Sequence, residues 1–300
     1  MALWQHSLMS DLVRNVREGW GERGSRWLVE LPDLIDALAE RWQLDVGATY
    51  PMTFHWVARV TRADGTPGVL KLGEPDGHLD AEAEALRIFD GDGAVRLLAE
   101  DRENGALLIE RAVPGERVAS LVPHEDARAT AVLIETGRRL HRVPEAGCTL
   151  PHLRADGEDF RGYLRRWPGA GPLPRKMVER AVELFEDLCA EGGDRVLHGD
   201  LHHDNVLRAG DRWLAIDPHG KVGDPGFECG ALLYNPDPPR RDPELLRLVP
   251  ARIEQLADGC RMPVERVRAW GFVMAVLSEV WNSEAGTVGS RALDVAQLLQ

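Results

Sequence analysis

Residues 196–207 read VLHGDLHHDNVL, a stretch that holds a carboxylate and a side-chain amide at fixed spacing between apolar residues. Asp200 lies in its middle, Asn205 follows five positions later, and the apolar segment 213–216 (WLAI) leads to a second carboxylate, Asp217. Such a set suits phosphoryl transfer, because one carboxylate can orient and deprotonate a hydroxyl while an amide and a carboxylate hold Mg²⁺ on a triphosphate. The pattern predicts a catalytic base, Asp200, and two metal ligands, Asn205 and Asp217.

The spacing of these residues resembles the catalytic loop and metal-binding segment of the aminoglycoside phosphotransferase family, whose members are relatives of the protein kinases. The kinase loop reads H-R-D-x-x-x-x-N, and residues 198–205 keep that spacing with Gly199 in place of arginine. Downstream, VGDP at 222–225 and ALLYNP at 231–236 are similar to the streptomycin 6-phosphotransferase and hydroxyurea phosphotransferase branch. The resemblance implies ATP-dependent phosphorylation of a hydroxyl on a small cationic molecule such as streptomycin, with Mg²⁺ as the metal.

Three other interpretations stay open. In the first, the protein is a kinase whose acceptor is hydroxyurea or another small metabolite. In the second, it is a pseudokinase that binds nucleotide without turnover. In the third, the histidines around the stretch bind a metal such as zinc. No cysteine or carboxylate trio completes a zinc site at plausible spacing, so the histidines are left out of the catalytic set. Those histidines are His198, His202, His203 and His219.

The first 112 residues are predicted to contain a small antiparallel sheet preceded by a helical segment. Residues 1–43 form that segment, with an amphipathic helix over 31–42 and a flexible linker at Gly19, Gly21 and Gly24. Pro114 and Gly115 are expected to end the last strand. Alternating apolar residues and turn signals predict strands at 54–60, 68–72, 93–100 and 105–111 and a helix at 78–89.

The resemblance implies that this part binds the nucleotide. Lys71 in the strand 68–72 would fix the α- and β-phosphates. Glu82 would position that lysine, with Glu84 as the alternative. Residues 46–53 would form the turn that covers the nucleotide, although Gly47 is their only glycine.

The rest of the chain is predicted to be mainly helical, with helices near 125–142, 161–167, 175–191, 242–260, 263–281 and 290–299. In the family, the C-terminal helices form the wall of the acceptor pocket. The candidate acceptor contacts are therefore Glu279, Trp281, Asn282 and Glu284, although Trp281 could equally pack in the core. Asp224 is expected to fix the loop that follows Asp217.

Together these patterns predict an α+β, two-lobed, protein-kinase-like fold. A nucleotide-binding lobe with a small antiparallel sheet would span residues 1–112, and a helical catalytic and acceptor-binding lobe would span 113–300. At the hinge, the carbonyl of Glu110 and the amide of Ala112 would hold the adenine, as the resemblance implies.

Composition narrows the function classes. The chain has 300 residues, 44% of them hydrophobic, which suffices for a large core. It has no apolar run long enough to span a membrane and no signal peptide pattern at its N-terminus. Its four cysteines lack paired spacing, so we expect reduced thiols and a cytoplasmic protein. The net charge of −13 disfavours nucleic acid as a partner. An acidic surface attracts cationic ligands but equally serves solubility. No feature specifies an oligomeric state.

Overall fold

The computed structural model describes residues 2–237, 242–284, 286 and 288–300, with the side chains of residues 2–10 excepted. The chain forms two compact units. The first comprises the residues up to Gly91 together with Val95–Ala112, and the second comprises Asp92–Ala94 with Val113–Gln300. The main division of the chain lies between Ala112 and Val113. Within the described ranges, no helix is both long enough and apolar enough to cross a membrane.

The first unit contains a long helix, a five-stranded antiparallel sheet and a short helix. The sheet has the order β1-β2-β3-β5-β4. Its elements are α1 (Ala2–Trp42), β1 (Leu44–Thr49), β2 (Trp56–Arg62), β3 (Pro67–Leu72), α2 (His78–Phe89), β4 (Leu97–Asp101) and β5 (Ala106–Glu110).

Side-chain alternation in β3 separates the core from the candidate site. Leu70 and Leu72 belong to a buried cluster that also includes Leu12 and Val16 of α1. Successive side chains of a strand point to opposite faces of the sheet. Lys71 therefore lies on the face away from α1, where α2 supplies Glu82.

The predicted linker at Gly19, Gly21 and Gly24 is wrong, because α1 continues through it with a kink. Gly21 has φ 58° and ψ −127°, and it joins two helical segments. A Cβ atom on Gly24 would lie 2.5 Å from the carbonyl oxygen of Val16. The glycines permit a sharp change of direction and a close approach of the two segments, which is a structural use of glycine rather than a flexible one.

The second unit is mainly helical and contains two small antiparallel sheets, one with the order β6-β8-β9 and one pairing β10 with β7. The strands are β6 (Pro114–Arg117), β7 (Arg195–Leu197), β8 (Val206–Ala209), β9 (Arg212–Ala215) and β10 (Lys221–Gly223). The helices are α3 (Asp126–Leu140), α4 (Gly157–Arg166), α5 (Arg175–Glu191), α6 (Gly226–Tyr234), α7 (Pro243–Leu246), α8 (Val249–Cys260), α9 (Val264–Glu284) and α10 (Arg291–Leu299).

Two predictions for this unit are corrected. The strand predicted over 105–111 ends before Pro114, as expected, but Pro114 itself begins β6, which pairs antiparallel with β8. β6 lies at the edge of its sheet, where a missing N–H is tolerated. The helix predicted over 242–260 is divided into α7 and α8.

Helix α9 forms the centre of the second unit and is buried along most of its length. Helix α6 packs closely against it because Gly230 has no side chain. A Cβ atom at position 230 would lie 2.4 Å from the Cβ of Met274 and 2.8 Å from the carbonyl oxygen of Trp270. This contact fixes α6, which carries a residue that supports the candidate active site.

Candidate active site

The loop between β7 and β8 presents Asp200. Gly199, directly before it, has φ 86°, a left-handed conformation that favours glycine. A Cβ atom at Gly199 would lie 3.1 Å from the Cβ of His219. Both observations explain why glycine stands at this position in place of the arginine of the kinase pattern.

The side chain of Asn205 is hydrogen-bonded to Asp200. Its Nδ2 donates to the backbone carbonyl and to the Oδ2 of Asp200, both at 3.0 Å. The amide orientation follows from this hydrogen-bond pattern. Because Nδ2 acts as a hydrogen-bond donor, Oδ1 is the atom of this amide that can coordinate a metal ion. Mg²⁺ prefers such oxygen ligands.

Asp217 follows β9 and has φ 57°, an uncommon conformation for a residue with a side chain. Ile216, one residue earlier, donates its N–H to the carbonyl oxygen of Asn205 at 2.9 Å. The two predicted metal ligands thus lie on backbone segments that are hydrogen-bonded to each other. The fold brings together Asp200, Asn205 and Asp217, as their spacing predicts.

His198 organises the backbone beneath these residues. Its Nδ1 accepts the N–H of Asp200 at 3.3 Å, and its Nε2 lies 2.9 Å from the carbonyl oxygen of Ile216. Burial lowers the pKa of His198 to about 4, so the ring is neutral near pH 7. Both ring nitrogens are engaged, which leaves none for zinc. Among the described residues, no group of three or more His, Cys, Asp or Glu side chains could hold a metal ion.

The neighbouring histidines set the charge of Asp200. Its partial burial would raise the pKa, but the hydrogen bond and charge of His202, with the charge of His219, hold the pKa below its usual value. His202 Nε2 lies 3.4 Å from Asp200 Oδ2. Burial opposes the charged form of His202, yet Asp200 outweighs it, so the pKa of His202 is raised. Asp200 is therefore ionised near neutral pH, as a proton acceptor must be.

Glu228 is a supporting residue that the sequence analysis missed. It lies on α6 and is 4% exposed, and its Oε1 accepts the N–H of Gly199 at 3.2 Å. The nearby backbone N–H groups of His198 and Leu201 also favour its charged form. Burial outweighs these donors and raises the pKa of Glu228 to about 7. The sequence feature that could have indicated Glu228 is a carboxylate inside the apolar run 226–234 (GFECGALLY). Its distance from the other site residues does not match a known ligand spacing.

Asp224 holds the loop between Asp217 and α6, as predicted. Its Oδ1 accepts the N–H of Gly226 at 2.8 Å, and its Oδ2 accepts the indole N–H of Trp270 at 3.1 Å. It also forms an ion pair with Arg266. The loop is thus attached to α9, which is buried along most of its length.

In the first unit, Lys71 forms a buried ion pair. Lys71 Nζ lies 2.6 Å from Glu82 Oε2, and the two residues are 5% and 4% exposed. Glu82 is on the buried face of α2, with Leu79 and Leu86. Glu84, the alternative partner, is half-buried. The geometry favours Glu82 as the residue that positions Lys71.

Other predicted nucleotide contacts lie at strand ends. Glu110 is the last residue of β5, where its N–H donates to the carbonyl of Arg96 at 2.8 Å. Ala112 follows as a buried residue outside regular structure. The turn expected over 46–53 begins later, because residues 46–49 belong to β1.

The four predicted acceptor residues have different surroundings. Glu279 is fully buried, and its carboxylate accepts the N–H groups of Gly289 at 2.7 Å and Ser290 at 3.0 Å, so it holds the turn before α10. Asn282 Nδ2 lies 3.4 Å from Glu279 Oε1. Glu284 is exposed near the end of α9.

Trp281 has a contact that fits a role at a binding surface. It is 39% exposed, and its indole N–H donates to Asp159 Oδ2 on α4 at 2.8 Å. The charge of Asp159 acts on Asp156, which is also paired with Lys221. The core-packing interpretation of Trp281 is therefore less favoured than exposure beside the carboxylate of Asp159.

Comparisons with known proteins agree with this geometry. A family model described as aminoglycoside/hydroxyurea antibiotic resistance kinase matches residues 41–286. The chain is 34% identical to the streptomycin 6-kinase of Streptomyces griseus over 283 residues, 92% of this chain and 90% of that protein. It is 38% identical to the hydroxyurea phosphotransferase of Kitasatospora aureofaciens over 303 residues, 97% of this chain and 85% of that protein.

A solved structure extends the comparison to the fold. It is a thermostable mutant of an aminoglycoside phosphotransferase in a ternary complex with ADP and hygromycin B. The TM-score is 0.60 at 14% identity, with 88% of this chain and 94% of that chain covered. The kinase-like α+β fold predicted from the sequence is confirmed.

Proposed function

The chain belongs to the family of aminoglycoside/hydroxyurea antibiotic resistance kinases, and from this premise we propose that it transfers the γ-phosphoryl group of ATP to a hydroxyl of a small cationic molecule. The acceptor that we favour is a streptomycin-type aminoglycoside. The observation that carries the proposal is the ionised Asp200, hydrogen-bonded to Asn205 and next to two histidines.

In this proposal Asp200 accepts a hydrogen bond from the acceptor hydroxyl and takes its proton as the new oxygen–phosphorus bond forms. Asn205 and Asp217 supply oxygen ligands that fit Mg²⁺. A bound Mg²⁺ would neutralise charge on the phosphates. His198 and Glu228 act on the backbone of the loop and keep Asp200 in place.

The first unit would hold the nucleotide. Lys71, fixed by Glu82, would contact the α- and β-phosphates, and the backbone of Glu110 and Ala112 would hold the adenine. The ADP in the related solved structure supports this assignment. A pseudokinase is disfavoured because Lys71, Asp200, Asn205 and Asp217 are all present.

Two observations support a cationic acceptor. Trp281 lies exposed beside Asp159, and Asp156 is close enough to Asp159 for their charges to interact. The chain as a whole has a charge of −13. The similarity to a streptomycin 6-kinase points the same way. Of the predicted acceptor residues, we retain Trp281, Asn282 and Glu284 and assign Glu279 to the turn before α10.

Hydroxyurea is the second candidate acceptor, and the 38% identity to a hydroxyurea phosphotransferase favours it. Hydroxyurea is neutral, so its recognition would not need the acidic residues near Trp281. We propose that either reaction takes place in the cytoplasm, where ATP is present and the four free cysteines stay reduced.

The metal assignment is tested by Asp217→Ala. We expect this variant to lose turnover with Mg·ATP, because one of two protein ligands to the metal is removed. ATP consumption in the presence of streptomycin or hydroxyurea measures the effect. Asp211→Ala is a matched control, since Asp211 lies exposed in the turn between β8 and β9. Turnover of Asp217→Ala near the wild-type rate would refute the assignment.

A further inference from the structure

Helix α1 lies almost entirely outside the segment that the family model matches, which begins at residue 41. It nevertheless contacts two loops of the first unit. One is the nucleotide loop, residues 50–55 between β1 and β2, and the other is the connector, residues 73–77 between β3 and α2. Because Trp56 pairs with Leu72, both loops lie at the same end of the sheet.

Two side chains of α1 hold the nucleotide loop. Asn15 Nδ2 donates to the carbonyl oxygen of Thr53 at 3.0 Å. The ring of Trp20 meets the ring of Phe54 edge to face, with centroids 5.9 Å apart and an interplanar angle of 86°. Met52 of the same loop is buried in the cluster that includes Leu12 and Val16.

Two residues of α1, on either side of the kink at Gly21, hold the connector. The indole N–H of Trp20 donates to Asp76 Oδ2 at 2.9 Å. Arg23 Nε lies 2.6 Å from Glu74 Oε1, and the side chain of Glu74 is only 4% exposed. The two loops also touch each other, because a Cβ atom at Gly73 would lie 2.5 Å from Cδ2 of His55. Trp20 therefore links both loops at once.

These contacts explain how a loop without glycine keeps a defined path. Residues 50–55 read YPMTFH, so no glycine lets their backbone approach a phosphate closely. Ordering a free loop on binding costs affinity, whereas a loop already held in place avoids that cost. The connector joins the strand of Lys71 to the helix of Glu82, so its position also sets the spacing of that ion pair.

We propose that Asn15 and Trp20 are positioning residues that preorganise the nucleotide loop and thereby set the affinity for ATP. The proposal rests on the proposed function, because it takes ATP as the nucleotide. Neither residue touches the reacting groups. Their effect is therefore on nucleotide binding and not on the chemical step or on the acceptor.

The test uses Asn15→Ala, Trp20→Phe and the double variant of the full chain. Asn15→Ala removes the hydrogen bond to Thr53 at a partly exposed site, so folding is not at risk. Trp20→Phe keeps an aromatic ring near Phe54 and removes the donor to Asp76. Trp27→Phe is the packing control: it makes the same change on the same helix, but at a side chain buried in the cluster that includes Leu12 and Val16, where the indole N–H has no hydrogen-bond partner among the described residues.

Three quantities are measured: amide hydrogen exchange of residues 50–56 without nucleotide, the Kd of a fluorescent ATP analogue, and steady-state kinetics. We expect faster exchange and a rise of about fivefold in the ATP Kd and KM for each single variant, the effect of losing one hydrogen bond. The kcat and acceptor KM should stay within about twofold of wild type. Trp27→Phe removes core packing and no hydrogen bond, so it should leave the ATP Kd and KM within about twofold of wild type as well.

The possible failures are distinguishable. Unchanged exchange, or faster exchange with unchanged ATP affinity, would overturn the positioning role while leaving the kinase assignment intact. A loss in kcat as large as the rise in the ATP KM would show that the contacts serve only general stability. A rise in the ATP KM of Trp27→Phe as large as that of the Asn15 and Trp20 variants would show the same. Either result would also overturn the positioning role. Wild-type protein that binds no ATP analogue would instead refute the proposed function, and the positioning role with it.

Discussion

At the scale of single residues, the charge of Asp200 is determined by its neighbours. His202 and His219 favour its ionised form, while Glu228 and His198 accept the N–H groups of Gly199 and of Asp200 and so fix the backbone that leads into the residue. Such support keeps a catalytic carboxylate in one orientation without binding the substrate. The charge and orientation of Asp200 therefore depend on these neighbours as well as on the residue itself.

Glu228→Gln gives a pH-dependent prediction. The pKa of Glu228 is raised from 4.5 to about 7, so its neutral form is favoured in the folded state. Its contribution to stability is full below pH 4.5 and is lost as the pH rises through 7. Gln keeps an oxygen for the N–H of Gly199 but does not ionise. The free energy of unfolding of the variant relative to wild type should therefore increase across that window, by up to about 3 kcal/mol.

Urea unfolding at several pH values measures this difference. Glu183→Gln, a substitution of an exposed glutamate on α5, is the control and should run parallel to wild type. A difference between Glu228→Gln and wild type that does not change with pH would contradict the shifted pKa of Glu228.

Residue spacing predicted some parts of the site and missed others. Asp200 and Asn205 are close in sequence, so their relation was readable from the spacing, and Lys71 and Glu82 were paired through the family resemblance. Glu228 was missed because its role depends on α6 packing under the loop, a contact between residues far apart in sequence. Glu279 was predicted as an acceptor contact on its residue type, but its carboxylate is occupied by the turn before α10.

At the scale of elements, the contact between α6 and α9 depends on Gly230. Gly230→Ala should lower the free energy of unfolding by about 2–3 kcal/mol, because the added methyl group overlaps Met274 and the backbone of Trp270. Thermal or urea unfolding measures the loss. Activity should fall too, because α6 carries Glu228.

Gly162→Ala is the matched control for Gly230→Ala. Position 162 lies inside α4, and the nearest atom to an added Cβ is the end of the flexible Arg165 side chain at 3.8 Å. This change should stabilise the protein by about 0.5–1 kcal/mol through helix propensity. Equal stability changes for the two variants would contradict the close packing of α6 on α9.

Strong periodicity predicted elements well. The helices at 78–89 and 175–191 have the bounds that the sequence indicated. Glycine and proline were the source of the errors, since their meaning depends on distant partners. Gly21 was interpreted as a linker but forms a kink stabilised by packing, and Pro114 was interpreted as a strand end but starts an edge strand paired with β8.

At the scale of the whole molecule, the net charge of −13 bears on which acceptor is bound. Attraction between an acidic protein and a cationic ligand is screened by salt, whereas binding of a neutral ligand is not. The KM for streptomycin should therefore rise about two- to fivefold between low and high ionic strength, while any KM for hydroxyurea stays constant. Steady-state kinetics across a salt series measures both, and a salt-independent KM for streptomycin would contradict a role for surface charge.

The overall fold was predictable from the sequence because one short stretch identified the family, and the family match covers residues 41–286. The acceptor was not predictable to the same degree. The contacts that we propose for it come from α4 and α9, whose residues Asp159 and Trp281 meet only in the folded chain. Relatives with either acceptor have similar identities to this chain.

The most direct test of the central claim is a phosphorylation assay with product detection by mass spectrometry. Wild-type protein and Asp200→Asn are each incubated with Mg·ATP and streptomycin, hydroxyurea or a 2-deoxystreptamine aminoglycoside. We predict that wild type adds one phosphoryl group to streptomycin, and that Asp200→Asn lowers kcat about 10²–10⁴-fold while still binding ATP. Phosphorylation of none of the three acceptors by wild type, or an unchanged kcat in Asp200→Asn, would contradict the account.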